Sequence, residues 1–288
     1  MRSKIILITG CSSGIGYDTA IALSNRGHHV YATCRKEEDV KKLKSLGLEV
    51  VQMNIDDTHS ITLAFYEILK KTSGRLDILI NNAGYGQVGA LEDVSRDALR
   101  SQFETNVFGL MDLTRLAIPV MRKQGHGRII NISSILGLIS MPFTGAYCAS
   151  KYAVEGLSDT LRLELQSSGI KVITIEPGPI ESRFRDNIID HSLKKINQEK
   201  SHFHQEYQIM LGDYRQNKSQ SIFTRGTDAV INKIVHAIES RSPKTKYRVT
   251  LPAHLIAFLK RVLSVKMLDK MLAYASKRDL KPKNSKLS

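Results

Sequence analysis

Residues 128–151 read RIINISSILGLISMPFTGAYCASK and join a strand pattern to a helix pattern. The apolar run 128–133 predicts a buried strand, and Ser134 lies just past its end. Tyr147 follows thirteen residues later and Lys151 four after that, a spacing that puts both side chains on one face of a helix. A fixed ammonium favours ionisation of a neighbouring phenol. The stretch therefore predicts proton exchange with an alcohol or carbonyl oxygen, to which the Ser134 hydroxyl also hydrogen-bonds.

The Tyr-x-x-x-Lys spacing alone is weak evidence, because it occurs three times, at Tyr66/Lys70, Tyr147/Lys151 and Tyr214/Lys218. Only Ser134 follows a buried-strand pattern, which predicts that it lies at the carboxyl edge of a sheet, where open α/β sheets bind ligands. On spacing alone, Tyr147 is an ordinary packed tyrosine. The motifs in the rest of the chain favour a functional site at Tyr147 over this alternative.

A glycine-rich turn follows the first strand. The short apolar run 5–8 precedes TGCSSGIG, residues 9–16, and a helical pattern then continues to about residue 26. Gly10, Gly14 and Gly16 let the backbone turn sharply and approach a pyrophosphate at the helix N-terminus. The spacing is Gly-x3-Gly-x-Gly, which differs from the usual G-x-G-x-x-G pattern.

The second strand, 29–34, ends in Cys34-Arg35-Lys36. An NAD-binding chain of this kind places an acid there for the ribose 2′-hydroxyl. A guanidinium instead suits the 2′-phosphate of NADP, which it can bind with two hydrogen bonds. The sequence therefore favours NADP, and the alternative is that Arg35 is a solvated loop residue.

Strand and helix patterns alternate along the rest of the first 180 residues. Predicted strands cover 49–54, 76–80 and 171–175. They end at Asn54-Ile55, which can flank an adenine, at the small residues of Asn81-Asn82-Ala83-Gly84, and at Pro177-Gly178. Helices are predicted over 39–46, 60–71, 99–121, which carries Asn106, and 147–166. This alternation predicts an α/β fold with a doubly wound parallel sheet.

The pattern loosens beyond residue 182. Residues 183–225 are polar and show no strand signal, which predicts an excursion of helices and loops over the site. Its histidines, His191, His202 and His204, are interpreted as surface residues, because no carboxylate stands at ligand spacing. Helix and strand return at 227–240 and 246–250. We therefore expect a catalytic domain over 1–250, followed by an amphipathic helix at 255–274 and a basic tail within 251–288.

Composition bounds the class of protein. The chain has 288 residues, of which 42% are hydrophobic, as in a globular protein with one large domain. Three scattered cysteines predict neither a disulfide framework nor a zinc site and fit a reducing compartment. With no apolar run of about 18 residues and no secretory signal pattern, the expected location is cytoplasmic.

The net charge of +14 is unevenly distributed. Residues 260–288 carry nine Lys/Arg and two aspartates, a net +7. We interpret this excess as solvated lysines and a basic tail, and we expect no nucleic-acid partner. The helix at 255–274 has two interpretations, which are peripheral contact with anionic lipid and packing on the body of the fold.

Taken together in this order and spacing, these motifs resemble the short-chain dehydrogenases/reductases over roughly residues 4–250. The stretches TGCSSGIG, YCASKYAVEGLSDTLRLEL and IKVITIEPGPIESRF are most similar to a branch that holds bacterial NADP-dependent aldehyde reductases and that resembles retinol and 17β-hydroxysteroid dehydrogenases. The resemblance implies a Rossmann fold. It implies that Tyr147 is the acid/base and that Lys151 binds the nicotinamide ribose and lowers the pKa of Tyr147. It also implies that Ser134 orients the carbonyl and that Asn106 binds a water of a proton relay.

The resemblance also implies a binding site for NADP(H) and no metal. Together with the motifs above, it assigns the cofactor to Gly10, Ser12, Ser13, Gly14, Ile15, Gly16, Arg35, Asn54, Ile55, Asn82, Ala83, Gly84, Tyr147, Lys151, Pro177, Gly178, Ile180 and Ser182. Two of these depart from the family pattern. Asn54 stands where Asp is frequent and Ser182 where Thr is frequent, and both keep a hydrogen-bonding group.

The sequence thus predicts an NADP(H)-dependent oxidoreductase that reduces an aldehyde or ketone, or oxidises the alcohol. A steroid or retinoid alcohol dehydrogenase and a non-catalytic NADPH-binding sensor are the alternatives, and the complete set of four catalytic residues argues against the sensor. The resemblance further implies a homodimer or homotetramer built on the helices around Asn106 and Tyr147. The apolar residues that would contact the partner, or else belong to the core, are Phe103, Leu110, Leu113, Leu157, Leu161 and Leu165.

Overall fold

A single parallel β-sheet forms the centre of the protein. The computed structural model describes residues 3–181, 192, 196–215 and 223–279. The strands of the sheet are β1 (Ile5–Ile8), β2 (His29–Cys34), β3 (Glu49–Gln52), β4 (Ile78–Asn81), β5 (Gly127–Ile132), β6 (Ile170–Glu176) and β7 (Lys246–Arg248). They lie in the order β3-β2-β1-β4-β5-β6-β7. The predicted doubly wound parallel sheet is confirmed.

The order of the strands reverses between β1 and β4. Ile6 of β1 is paired with Val30 of β2 on one side and with Ile78 of β4 on the other. Loops that leave the carboxyl ends of β1 and β4 run to opposite sides, and open α/β sheets bind ligands in the crevice this creates. The glycine turn after β1 and the segment after β4 therefore meet at one crevice.

Helices cover both faces of the sheet. They are α1 (Gly14–Asn25), α2 (Glu37–Ser45), α3 (Thr58–Lys71), α4 (Arg96–Phe103), α5 (Gly109–Gln124), α6 (Gly145–Glu164), α7 (His204–Arg215), α8 (Asp228–Glu239), α9 (Leu251–Val262) and α10 (Val265–Asp279). One core cluster joins the sheet to α1, α2 and α8. A second, which contains Phe65, Leu113 and Leu161, joins the other face to α3, α5 and α6.

Two helices predicted as continuous are interrupted. The stretch 99–121 contains a π-helical turn, Glu104–Phe108, between α4 and α5, and Asn106 lies within it. The stretch 255–274 is divided between α9 and α10, because Leu263 leaves the helix with an extended backbone. Ser264 then begins α10, where its hydroxyl accepts a 3.4 Å hydrogen bond from the backbone N–H of Met267.

The described part of the excursion packs on the loop after β4. Tyr207 of α7 is completely buried and forms a small core with Val88 and Ile196. Its hydroxyl donates a hydrogen bond to the carboxylate of Asp93 (2.7 Å) and accepts one from the backbone N–H of Ala90 (2.8 Å). The described residues there include α7 and loops, and both the excursion over the site and the domain boundary at residue 250 stay predictions. No helix within the described ranges is long and apolar enough to cross a membrane.

Candidate active site

The turn after β1 is built for close approach of backbone to backbone. Gly10 has φ +71°, and a Cβ there would lie 2.7 Å from the Cα of Ala83. The hydroxyl of Thr9 accepts hydrogen bonds from the N–H groups of Asn82 (3.0 Å) and Ala83 (2.9 Å). Only glycine fits Gly10, and Thr9 fixes the segment after β4 against the turn. The sequence analysis gave Thr9 no role, although it stands in the quoted motif.

The first turn of α1 fits the pyrophosphate of a dinucleotide. Ser13 begins the helix without a side-chain cap, so its hydroxyl does not occupy the first N–H groups of α1. A Cβ on Gly16 would lie 2.3 Å from the amide nitrogen of Asn82, which itself donates to the carbonyls of Thr9 and Gly10. An uncapped helix N-terminus beside a glycine turn is a favourable anion site.

Two adjoining clefts run along the carboxyl edge of the sheet. The first, of about 780 Å³, contains Arg35, Asn54 and Ile55 in its lining. The second, of about 500 Å³, contains Tyr147 and Lys151. The clefts share the wall made by Gly10, Ser12, Ser13, Ala83 and Gly84. Their residues fit an extended dinucleotide, with the glycine turn at its middle.

Most of the predicted site residues line these clefts. The second cleft also has Gly14, Ile15, Asn82, Ser134, Pro177, Gly178 and Ile180 in its lining. Gly16 and Asn106 lie behind the lining residues, where they contact Asn82 and Gly84 respectively. Ser182 lies outside the described residues.

Tyr147, Ser134 and Lys151 meet at the end of β5. Ser134 follows that strand, and its side chain hydrogen-bonds Tyr147. The Nζ atom of Lys151 lies 5.7 Å from the centroid of the Tyr147 ring and donates a 2.8 Å hydrogen bond to the carbonyl of Ile132. The spacing of Tyr147 and Lys151 on α6 thus brings the phenol and the ammonium to one wall, with a hydroxyl beside the phenol.

The protonation of Tyr147 differs from the prediction. Burial raises the pKa of the Tyr147 phenol to about 12, and the hydrogen bond from Ser134 only partly opposes this. Burial also lowers the pKa of Lys151 to about 8. The expected lowering of the phenol pKa by Lys151 is not found: the loss of water around the hydroxyl is the largest effect, and the group that opposes it is Ser134. Below about pH 8, this site holds a neutral phenol and a charged ammonium.

Asn106 lies in the π-helical turn, and hydrogen bonds fix both ends of its side-chain amide. Its amide nitrogen donates to the carbonyl of Tyr85 and to the hydroxyl of Ser150, both at 3.0 Å. Its carbonyl oxygen accepts a 3.1 Å bond from the N–H of Tyr85. A Cβ on Gly84 would lie 3.0 Å from this oxygen and 3.8 Å from the Nζ of Lys151. Asn106 therefore lies next to Gly84, close to Lys151 in the wall of the second cleft, and its relay role stays a prediction.

A cluster of buried charged residues, which was not predicted from the sequence, acts on the charge of Lys151. Glu155, one turn after Lys151 on α6, is buried and raises the pKa of that lysine against the effect of burial. Its carboxylate forms an ion pair with the ammonium of Lys246 of β7, at a distance of 2.7 Å. Glu176 at the end of β6 is completely buried and pairs with Arg248 at 3.1 Å. The i,i+4 spacing of Lys151 and Glu155 was the available signal.

Arg35 lies at the open end of the first cleft. Its side chain is exposed and forms no ion pair with a described residue, whereas Lys36 beside it pairs with Glu38 at 3.2 Å. Cys34 is buried in the core with Cys11 and, with Thr33, also belongs to the lining of the cleft. The carboxylates of Asp39 and Asp56 also belong to the lining. Arg35 is therefore the free cation at this end, within the described part of the chain.

The other candidate residues do not form a second site among the described side chains. Tyr66 is 58% exposed on α3, and the side chains of Tyr214 and Lys218 lie outside the described residues. His204 hydrogen-bonds the carbonyl of Gln198 and His202 is exposed, whereas His191 is not described. No group of three His, Cys, Asp or Glu side chains able to hold a metal occurs in the described ranges.

Comparison with known proteins identifies the family. The model of the short chain dehydrogenases matches residues 4–192. The chain belongs to the short-chain dehydrogenase family. It is therefore an oxidoreductase acting on CH–OH or carbonyl groups with a nicotinamide cofactor.

Two relatives and one solved structure illustrate its place in this family. The uncharacterized oxidoreductase YbbO of Escherichia coli K12 is 43% identical over 272 residues, which cover 94% of this chain and 95% of that protein. Human 17-beta-hydroxysteroid dehydrogenase type 1 is 31% identical over 266 residues, or 87% and 78% of the two chains. The structure of ElxO with NADP bound is 25% identical, with a TM-score of 0.70, and the match covers 86% of this chain and 97% of ElxO. The predicted family and its likeness to hydroxysteroid dehydrogenases are confirmed.

Proposed function

We propose that this short-chain dehydrogenase is an NADP(H)-dependent reductase of an aldehyde or ketone, with Tyr147 as its proton donor. The observation that carries the proposal is the meeting of Tyr147, Ser134 and Lys151 beside the glycine turn. A carbonyl oxygen placed at the phenol and the Ser134 hydroxyl would lie next to the cleft that fits the dinucleotide. When bound, the nicotinamide supplies or accepts the hydride.

The protonation of the site supports reduction. A phenol with its pKa raised to about 12 keeps its proton at neutral pH and can donate it as the carbonyl oxygen gains charge. The ammonium of Lys151 remains charged below about pH 8 and stabilises the phenolate that the transfer leaves behind. The Coulomb interaction of the two groups is strengthened because the wall of the cleft is poor in water.

The charge at the end of β2 supports NADP rather than NAD. The guanidinium of Arg35 is exposed at the cleft, and β2 ends without a carboxylate at this point. A charge-assisted hydrogen bond to a phosphate is stronger than one between neutral groups. The similar structure of ElxO contains bound NADP, which agrees with this assignment.

A steroid or retinoid alcohol dehydrogenase is the second candidate. It is favoured by the 31% identity to human 17-beta-hydroxysteroid dehydrogenase type 1. The cleft that contains Tyr147 also has apolar residues in its lining, among them Ile15, Ile135, Leu136 and Ile180. This lining suits an apolar substrate and does not separate a steroid from a long-chain or aromatic carbonyl.

A panel of carbonyl substrates tests the proposal. Aliphatic, aromatic, retinoid and steroid carbonyls are mixed with the purified protein and NADPH, and loss of NADPH absorbance is followed. We expect turnover of aldehydes or ketones with NADPH. Preference for a steroid or retinoid would favour the second candidate, and binding of NADPH without turnover of any carbonyl or corresponding alcohol would leave only the sensor interpretation.

A further inference from the structure

Helix α9 carries an apolar stripe that faces away from the protein. Leu251, Leu255, Phe258 and Val262 follow one another at spacings of four, three and four residues, which places them on one face of a helix. Their exposed fractions are 71%, 54%, 61% and 58%. Exposed apolar patches of this kind mark surfaces that bind proteins or membranes.

The opposite face of α9 already packs on the body of the fold. Ala253 is completely buried and Ala257 is 5% exposed. The ammonium of Lys260 donates hydrogen bonds to the carbonyl of Leu138 and to the hydroxyl of Tyr152, and it lies 4.7 Å from the centroid of the Tyr152 ring. The helix is thus fixed by one face, and its outward stripe is an additional apolar surface that the fold does not use.

Exposed positive charge lies at the C-terminal end of the stripe. The sequence contains no Asp or Glu from residue 240 to residue 268, and the same segment contains Arg241, Lys244, Lys246, Arg248, Lys260, Arg261 and Lys266. Lys246 and Arg248 are paired inside the protein. Arg261 and Lys266 are exposed beside Val262 and Val265, and Val265 is itself 76% exposed. The surface therefore combines an apolar stripe with exposed cations at its C-terminal end.

We infer that the outward face of α9, together with the start of α10, docks on an anionic lipid bilayer. Apolar side chains at the boundary of the acyl chains, with cations at the level of the headgroups, are the features of a helix that lies on a membrane. A second copy of the chain is a poorer occupant. In a two-fold interface the patch meets itself, and Arg261 and Lys266 of each copy would then be brought close to like charges.

The position of α9 relates this surface to the active site. The helix rests against the turn Ile135–Gly137, which directly follows Ser134 and belongs to the wall of the second cleft. A bilayer docked on α9 would therefore lie on the side of the protein where this wall is formed. The docking does not depend on the proposed reaction, and it is tested without substrate.

The absence of tryptophan from the sequence gives a direct test. Phe258→Trp places a single indole on the stripe, and Leu63→Trp places one at a matched exposed position on α3, where Leu63 is 59% exposed. With vesicles of phosphatidylglycerol we expect the emission of Phe258→Trp to shift to shorter wavelength and to be quenched by brominated acyl chains. Leu63→Trp should do neither, and phosphatidylcholine vesicles should produce little change for either variant.

Flotation of the unlabelled full chain completes the test. Binding to anionic vesicles should weaken as salt is raised, because the headgroup attraction is screened. The double change Leu255→Ser and Phe258→Ser should reduce the affinity by at least about tenfold, without lowering the thermal midpoint. The inference is overturned if Phe258→Trp emission is unchanged by anionic vesicles at low salt, or if Leu63→Trp responds equally. It is also overturned if the wild type does not float with anionic vesicles and the double change converts a dimer into monomers, because the stripe would then bind a second copy of the chain.

Discussion

At the residue scale, Tyr147 and Lys151 share a wall where burial disfavours the charged form of each. The phenol has its pKa raised to about 12 and the ammonium has its pKa lowered to about 8. Between these values both groups become neutral, so the pair loses its charge as the pH rises through about 8. Reduction needs the proton of Tyr147 and gains from the charge of Lys151. We therefore expect the reduction rate to fall on the alkaline side.

Changing Glu155 should move this alkaline limb. Its carboxylate raises the pKa of Lys151, so Glu155→Gln should lower that pKa and shift the fall of kcat/KM for reduction toward lower pH by about one unit. Asp159→Asn is the matched control, because Asp159 also pairs with Lys246 but lies a further turn from Lys151. The pH profile of each variant is compared with that of the wild type. An unmoved limb in Glu155→Gln would show that the Lys151 charge is not set by Glu155.

Changing Arg35 should alter the choice of cofactor. A charge-assisted hydrogen bond to the 2′-phosphate contributes roughly 1.5–3 kcal/mol, and each 1.4 kcal/mol is about tenfold in affinity. Arg35→Ala should therefore weaken the binding of NADPH by at least about tenfold and leave the binding of NADH nearly unchanged. Lys36→Ala is the control, since its ammonium is already paired with Glu38. Titration of each variant with both cofactors decides the matter, and equal weakening of NADPH and NADH by Arg35→Ala would contradict the assignment.

The sequence predicted which residues line the site better than it predicted their chemistry. Ser134, Tyr147 and Lys151 were found from a strand end and an i,i+4 spacing, because both rules are local. The pKa of Tyr147 depends on how much water the folded chain excludes from its hydroxyl, and no spacing encodes that. Thr9 was missed because its partners lie on another element, whereas Glu155 had a local signal in its i,i+4 spacing from Lys151 but pairs with Lys246 of β7.

At the scale of the elements, the π-helical turn sets the position of Asn106 and of the glycine that follows it. Gly109 begins α5, and a Cβ there would lie 1.9 Å from the carbonyl oxygen of Ile55, a residue that lines the first cleft. The backbone of Ile55 cannot yield as a flexible side chain would. The close contact therefore ties the loop after β3 to the start of α5, directly after the π-helical turn that carries Asn106.

Two helical glycines should respond oppositely to alanine. Gly109→Ala should destabilise the protein by roughly 1–3 kcal/mol, because the added methyl group overpacks against Ile55, and it should weaken cofactor binding. Gly156→Ala on α6 meets no atom within 4 Å and should stabilise by about 0.5–1 kcal/mol. Chemical denaturation of both variants gives the comparison. A neutral Gly109→Ala would show that the loop after β3 adjusts freely.

The strands of the sheet were predictable, whereas the interruptions of the helices were not. The apolar runs predicted at 5–8, 29–34 and 128–133 are short and bounded by turn residues, as buried strands are. The π turn has neither Gly nor Pro within its sequence, ETNVF. The break after α9 occurs at Leu263-Ser264 and has no glycine or proline either. Periodicity in the sequence continues through both interruptions, and the serine that begins α10, Ser264, is the local signal available for the second.

At the scale of the whole molecule, the predicted contacts between subunits need correction. Four of the six apolar residues named for them, Leu110, Leu113, Leu161 and Leu165, are buried in the chain itself, because the inner stripes of α5 and α6 pack on the sheet. Phe108 is 51% exposed and Leu163 is 72% exposed on the same helical layer. These two residues are available to a partner there, as are Leu99 and Tyr152, which are also exposed, and the predicted Phe103 and Leu157, which are half-buried.

We expect a dimer or tetramer that depends on this layer. Sedimentation of the wild type should give a mass above that of one chain, and the double change Phe108→Ser and Leu163→Ser should shift it toward the monomer. Removal of exposed apolar groups should leave the fold intact, so the thermal midpoint is the control. A wild type that sediments as a monomer at micromolar concentration would end the prediction.

The central claim is that the Tyr147 phenol gives its proton to the substrate oxygen. Tyr147→Phe removes that hydroxyl alone, and Tyr66→Phe makes the same change in the exposed Tyr-x-x-x-Lys pair on α3. Both variants should fold and bind NADPH with wild-type affinity. The kcat for reduction of a carbonyl should fall by about 10²–10⁴-fold in Tyr147→Phe and stay unchanged in Tyr66→Phe. A Tyr147→Phe variant that binds NADPH and keeps more than about a tenth of the wild-type kcat would contradict the account.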